Sequence, residues 1–267
     1  MSKQLLKKIL YFLFFCSLVL LITNKLDFLK LLNNLKEIKF NYLILFLLVC
    51  LTIPFIQAKR WQILSNENLE KSLNTIIYAH AGSASTNIPL SNEIIKFFRL
   101  KKENAISKKI KLLLIDKLLS IKSKLLIFLP LLYIFINHEI KFEYKELFVF
   151  FYFLYFLLSV VFFKKYVRIF LLSILINFLI LTSYYFIGLS LNLSEGIFFY
   201  SIYLIIELFT QIAGIWGTRE FLSVYVMEYF NISSDVSFLI ALFFSFGNIL
   251  ILLILLSRSF IKKLLIS

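Results

Sequence analysis

Long apolar runs constrain this chain more than any other feature. Stretches at about 5–23, 40–58, 112–136, 147–163, 169–191 and 236–257 approach or exceed 18 residues. A helix needs roughly that length to cross the ~30 Å hydrocarbon core of a bilayer. Lipid offers the backbone no hydrogen-bond partner, so helices, which satisfy their own amides and carbonyls, are the expected elements. The expectation is an all-α, polytopic helical membrane protein with about six full spans. Hydrophobic residues make up 61% of the 267, against roughly 45–50% in a soluble domain. No 50-residue segment is polar enough to fold in water by itself, so residues 1–267 read as one integral membrane domain. Residues 2–23 have the basic-then-apolar form of a signal peptide but no small-residue cleavage site, and read as an uncleaved first helix.

Two stretches break the pattern. Residues 73–99 are interrupted by AGSASTNIPLSNE, and residues 197–230 run into Glu207, Gln211 and then GIWGTRE. Each is too polar in its middle for a helix facing lipid and too apolar for a surface loop. Irregular backbone at membrane depth is tolerated where protein or a wet cavity surrounds it. Two re-entrant helical hairpins, at about 73–99 and 197–230, meet that condition. Between the first two spans, Leu26–Lys39 places Phe28, Leu29, Leu32 and Leu35 opposite Lys30, Asn33, Asn34 and Glu37. That spacing predicts an interfacial amphipathic helix.

Charge tests the topology. The net charge is +14, from 29 Lys and Arg against 15 Asp and Glu. In a soluble chain this would suggest nucleic acid; here the basic residues fall between apolar runs, so anionic lipid headgroups are the expected partner and nucleic acid is not. With both stretches re-entrant and both termini cytoplasmic, seventeen basic residues flank the cytoplasmic ends and six the outer ends. If residues 73–99 crossed fully, the five lysines between Lys101 and Lys111 would move outside and weaken the bias. The expected location is the cell (inner) membrane, multi-pass.

Charged residues collect at the two breaks. Glu93, Lys96 and Arg99 are spaced three apart and share a helical face, after Asn87 and Pro89. Asp116 and Lys117 lie near the entry of the 112–136 run, with Lys122 and Lys124 further in, one of which is expected to snorkel to the surface. Glu207, Gln211, Arg219 and Glu220 belong to the second break. A charge at the centre of a membrane helix costs about 2.5–3.5 kcal/mol on insertion scales, so such residues pair or line a polar cavity. The simpler alternative is interfacial ion pairs, Glu93–Lys96 and Arg219–Glu220, that only fix helix depth. His80 is expected to be a hydrogen-bonded packing residue, and with His138 in a loop no metal site or other cofactor is indicated. Cys16 and Cys50 lie in apolar runs and read as small buried hydrophobes. No nucleotide-binding, redox or hydrolase motif is present.

Arg60-Trp61, NIPLSNEIIK (Asn87–Lys96), IDKLL (Ile115–Leu119) and AGIWGTRE (Ala213–Glu220) occur in an order and spacing that resembles the lysylphosphatidylglycerol synthase transmembrane-region family. That family is also called flippase-like, or uncharacterised family 0104. The resemblance covers nearly the whole chain. It departs from the family pattern where glycines after Pro89 are missing and Glu93 comes one residue early. Lys96 stands for an arginine, Asp116-Lys117 for Glu-Arg, Ser120 for an aspartate and Ala213 for a proline. Lysine keeps the charge of arginine but loses its two-pronged fork. The chain ends at Ser267 without the soluble aminoacyl-transferase domain of some relatives, so aminoacyl transfer is not expected.

Taken with this resemblance, the residues lead to a flippase-like protein that binds, and in a further step translocates, a lipid or lipid-linked polar headgroup. The expected binding residues are Arg60, Asn87, Glu93, Lys96, Arg99, Asp116, Lys117, Glu207, Arg219 and Glu220. The expected partners are a phospholipid or lipid-linked substrate, with a lipid-modifying enzyme or a second copy of the chain as protein partners. The alternatives are an intramembrane lipid-modifying enzyme with Glu93 or Asp116 as base, and a non-catalytic partner in a glycolipid or lipid-carrier pathway.

Overall fold

The computed structural model describes residues 16–17, 19–85, 91–100, 105–139, 152–157, 161, 164–213 and 217–266. Every regular element among them is helical: α1 (Phe28–Lys36), α2 (Phe40–Ser65), α3 (Leu69–Ser85), α4 (Ser91–Arg99), α5 (Ile106–Glu139), α6 (Val167–Ser190), α7 (Ser201–Ala213), α8 (Thr218–Glu228) and α9 (Ser234–Ile266). Single 3-10 turns at Lys164–Tyr166 and Ile197–Tyr200 precede α6 and α7. The order is long helix, two short helices, long helix, and it occurs twice, over α2–α5 and α6–α9.

Among the described residues, three helices are long and apolar enough to cross a membrane: Phe40–Ser65, Val167–Ser190 and Ser234–Ser257. The run expected at 112–136 lies inside α5 and carries Asp116, Lys117, Lys122 and Lys124, so it is not uniformly apolar. The runs expected at 5–23 and 147–163 lie largely outside the described residues. Helix α2 extends past its expected end at 58. Arg60, Trp61, Leu64 and Ser65 are all buried, so the last two turns have partners inside the protein. The helix stops at Asn66, in a left-handed conformation with φ 55° that asparagine adopts more readily than most residues.

Apolar side chains face outward as well as forming the core, and small polar ones lie between the helices. Ile110, Leu114 and Leu118 form an exposed stripe on α5, as do Leu171, Leu175 and Phe178 on α6. Ser72, Thr75, Ser123, Ser173, Asn177, Ser183 and Ser237 are buried between helices. Water would select the opposite arrangement; lipid selects this one, because small hydroxyl residues let membrane helices approach closely. Two glycines serve the same end. A side chain at Gly188 would run into the Tyr200 ring, and one at Gly247 into the Phe46 ring, where α9 meets α2. Gly247→Leu is expected to destabilise the bundle by about 1–3 kcal/mol, the usual cost of overpacking, read as a lower unfolding midpoint in mild detergent.

Both pairs of short helices fold back on themselves. In α3 and α4, Gly82 lies against Ile95 and the Arg99 guanidinium stacks 3.8 Å over the Tyr78 ring. Moving out from the break pairs positions ever further apart in sequence, the signature of an antiparallel hairpin. In α7 and α8, Arg219 meets Glu207 near the break, and the rings of Phe199 and Phe230 meet 6.0 Å apart at the far end. Residues 86–90 and 214–216, the breaks themselves, lie outside the described residues, and Asn87, Pro89 and Trp216 with them. At roughly 1.5 Å per residue, α4, α7 and α8 span only about 14, 20 and 17 Å.

One end of the bundle is tied by its loops. The Asp27 side chain caps α1 by accepting from the Leu29 and Lys30 amides, and the Asp27 amide donates to Asp235 Oδ1 at 2.8 Å. Lys25 Nζ reaches Glu228 at 2.6 Å; hydrogen bonding to that carboxylate raises the lysine above its ordinary pKa. The Lys39 amide donates to the Ser190 carbonyl at 3.0 Å. Helix α1 differs from its expected single apolar face. Leu31 and Leu35 pack on the core, whereas Phe28, Leu29 and Leu32 are exposed. Its hydrophobic residues divide between the protein and its surroundings because Asp27 fixes the helix against α9.

Candidate functional site

Asp116 on α5 is the hub of a first charged cluster. It is 6% exposed, with Arg60 Nη2 of α2 at 2.8 Å from Oδ1 and Lys96 Nζ of α4 at 2.9 Å from Oδ2. Arg60 Nη1 donates to Ser173 Oγ of α6 at 3.1 Å, and the Ser173 hydroxyl in turn donates a hydrogen bond to the Ile169 carbonyl. The Lys96 ammonium also sits 5.2 Å from the Trp61 ring centroid. One residue along α5, Lys117 Nζ donates to Glu93 Oε1 of α4 at 3.0 Å. A single carboxylate thus holds two buried cations from two other helices, and α2, α4, α5 and α6 meet around it.

The second cluster centres on Glu207 of α7, 5% exposed. Its Oε1 takes Arg219 Nη2 of α8 at 2.9 Å and the Tyr184 hydroxyl of α6 at 3.1 Å. Arg219 Nη1 donates to Ser245 Oγ of α9 at 3.1 Å, and Ser245 donates onward to Glu220 Oε1 at 2.7 Å. The Phe244 ring stacks on Tyr184 at 4.1 Å on one side, and the Arg219 guanidinium lies 5.1 Å from its centroid. Tyr203 stacks on Tyr184 at 4.4 Å. An aromatic column therefore fixes the tyrosine and arginine that hold Glu207. Gly217, at φ 84°, is the N-cap of α8; its left-handed backbone, open to glycine without penalty, turns the chain so that Arg219 faces back toward α7.

His80 on α3 is subject to charges from both clusters. Its Nε2 is 2.7 Å from Gln57 Oε1 of α2, and the charges of Lys96 and Glu93 from the first cluster and Glu207 from the second all act on it. Ionised side chains from both breaks in the sequence thus act on one residue.

Among the residues expected at the site, Arg60, Glu93, Lys96, Asp116 and Lys117 come together in the first cluster and Glu207, Arg219 and Glu220 in the second. Arg99 does not join them. It shares the helical face of Lys96 but lies three residues nearer the open end of the hairpin, where Tyr78 takes its guanidinium. Asn87 lies outside the described residues. The simple pairs Glu93–Lys96 and Arg219–Glu220 do not form. Lys96 prefers the more deeply buried Asp116, and Ser245 stands between Arg219 and Glu220. Sequence reasoning missed Ser173, Tyr184 and Ser245, which are ordinary residues within apolar helices. Of Lys122 and Lys124, one was expected to reach the surface; Lys124 is buried at 2% exposure. Among the described residues no three His, Cys, Asp or Glu side chains are grouped as metal ligands, and Cys16 and Cys50 are free thiols.

Among the described residues this arrangement sets carboxylates against cations and hydroxyls. Its chemistry is that of a desolvated ionic network with polar partners drawn from every long helix. The chain matches no protein-family model, no curated protein and no solved structure.

Proposed function

We propose that the chain is a flippase-like membrane protein that takes the polar headgroup of a lipid or lipid-linked substrate between two re-entrant hairpins and carries it across the bilayer. The observation that carries this reading is the pair of buried ionic clusters, one at each hairpin, with charges of both acting on His80. Charge is expensive at membrane depth, so a network of this size marks a pathway for something polar. The repeated order of long helix, short pair and long helix supports it further. Broken helices in corresponding places of two halves frame the substrate site of many transporters. The resemblance to the lysylphosphatidylglycerol synthase transmembrane-region family points the same way.

In the proposed topology α2, α5, α6 and α9 cross the membrane together with the runs at 5–23 and 147–163, and α3–α4 and α7–α8 enter and leave on the same side. The tied end of the bundle supports this. Lys25, Asp27, Lys39, Ser190, Glu228 and Asp235 all belong to segments that this topology assigns to the outer face. Cysteine labelling tests it in intact cells: Asn68→Cys and Lys108→Cys should react from the cytoplasmic side, and Ser194→Cys and Asn231→Cys from the outer side. A pair that reacts from opposite sides turns its hairpin into a crossing and removes the reading.

Translocation is tested in proteoliposomes with headgroup-labelled phospholipids, by the fraction of label an impermeant quencher reaches over time. Arg219→Ala and Glu93→Ala should each slow exchange at least about tenfold, equivalent to 1.4 kcal/mol on the rate. If both leave the movement of every labelled lipid unchanged, the chain does not translocate lipid through these clusters.

A further inference from the structure

Helix α1 bridges the tied end of the bundle between two anchorages. At its start, Lys25 Nζ reaches Glu228 at 2.6 Å and lies 5.1 Å from the Tyr225 ring centroid, both residues of α8. Beside it, the Asp27 amide donates to Asp235 in the first turn of α9. Past its other end, the Lys39 amide donates to the Ser190 carbonyl of α6 at 3.0 Å, and Asn192 Nδ2 donates to the Glu37 carbonyl at 3.4 Å. Between the anchorages Leu31, Leu35 and Ile38 rest on the core.

An aromatic column ends between the same two anchorages. It starts at Tyr184, which donates to Glu207. Tyr203 follows at 4.4 Å and Tyr200 a further 6.4 Å on, and Phe199 then joins Tyr200 to Phe230. Phe230 lies two residues past Glu228. Gly188, where a side chain would run into the Tyr200 hydroxyl, lies two residues before Ser190. The hydroxyls of Tyr200 and Tyr203 are fully buried and have no hydrogen-bond partner among the described residues. Buried tyrosine hydroxyls ordinarily find one. Two in succession, leading to a third that serves Glu207, make a polar seam through an apolar core.

The ties over this seam are weaker than the contacts at its inner end. The Lys25 and Glu228 side chains are 36% and 51% exposed, and exposed ion pairs contribute little. Parting a buried pair such as Glu207 and Arg219 costs far more, so the bundle opens most readily at its tied end. Phe28, Leu29 and Leu32 are exposed on α1, and a lifted α1 keeps that apolar face for the membrane interface.

We propose that α1 is a strap over the outer mouth of a route along Tyr200, Tyr203 and Tyr184 to Glu207. The route opens when Lys25 and Asp27 release α8 and α9, with residues 37–39 as the hinge. This rests on the headgroup-carrying reading above and deepens it by naming its regulation. Lids of this kind gate access to a site and set the rate of passage.

Two measurements test the strap, and one of them needs no lipid movement. In the first, the full chain carrying Lys25→Cys and Glu228→Cys is bridged with a short bifunctional maleimide. Wild type and each single variant receive the same reagent as controls, since Cys16 and Cys50 are free thiols. The bridged protein should exchange headgroup-labelled lipid in proteoliposomes at least about tenfold more slowly than the controls. In the second, an impermeant thiol reagent is applied outside intact cells carrying Tyr203→Cys, with Tyr200→Cys in its place should that variant fail to fold. The introduced thiol should react several times faster once Lys25→Ala is added. Equal exchange by bridged and control proteins, or equal thiol reactivity with and without Lys25→Ala, overturns the strap. A faster-reacting thiol in a protein that moves no lipid would keep the strap and discard translocation.

Discussion

Asp116→Ala is expected to destabilise the protein by about 3–5 kcal/mol, the range found when one partner of a buried ion pair is removed. Asp116 is the carboxylate between Arg60 and Lys96, and no second described carboxylate reaches either cation. Its loss leaves two cations buried side by side, with α2 and α4 repelling where they had been joined. Asp116→Asn keeps the shape and should fare little better, because shape is not what the cations need. Adding Lys96→Met to Asp116→Asn should recover part of the loss, giving an interaction energy within the 0.5–3 kcal/mol seen for residues in one network. The readout is the unfolding midpoint of purified protein in mild detergent. An Asp116→Asn protein that melts with wild type would mean the three groups are solvated and do not meet.

Glu207→Ala should cost a similar amount, again about 3–5 kcal/mol, for a different structural reason. Arg219 would keep Ser245 and the Phe244 ring but lose its carboxylate, and the α7–α8 hairpin would lose the contact nearest its break. Tyr184→Phe is the informative control, because it removes one neutral donor from the same carboxylate and leaves the stack with Tyr203 and Phe244. Its loss should stay within about 1.5–3 kcal/mol, the range for hydrogen bonds to charged groups. Should Tyr184→Phe prove the more damaging of the two, the aromatic column and not the ion pair holds this hairpin. In the translocation assay Glu207→Ala should fall at least as far as Arg219→Ala, since each removes the other's partner.

Much of the architecture was legible along the chain because lipid imposes a one-dimensional rule. Apolar length reports crossing helices, and α2, α6 and α9 lie where the runs at 40–58, 169–191 and 236–257 placed them. The breaks were legible for a related reason. Polar residues and glycine inside an apolar stretch are costly in lipid, so AGSASTNIPLSNE and GIWGTRE announced short helices, found as α3–α4 and α7–α8. The extension of α2 to Ser65 was not legible, because Lys59 and Arg60 look like a membrane boundary until Asp116 and Ser173 are known to receive the arginine.

The sequence by itself determined that the chain is helical, that it is membrane-embedded and that ionised residues collect at two interruptions. Those properties follow from hydropathy and period, which each residue carries with it. Only the tertiary structure decided which charges pair. Glu93 and Lys96 are near neighbours on one face, yet each finds its partner on α5, because an ion pair forms where burial and a facing helix remove water. The same holds for Lys124. Its position reads as a lysine able to snorkel, and only the packing of α5 against α6 turns it inward, where its charge has no answer within the described chain.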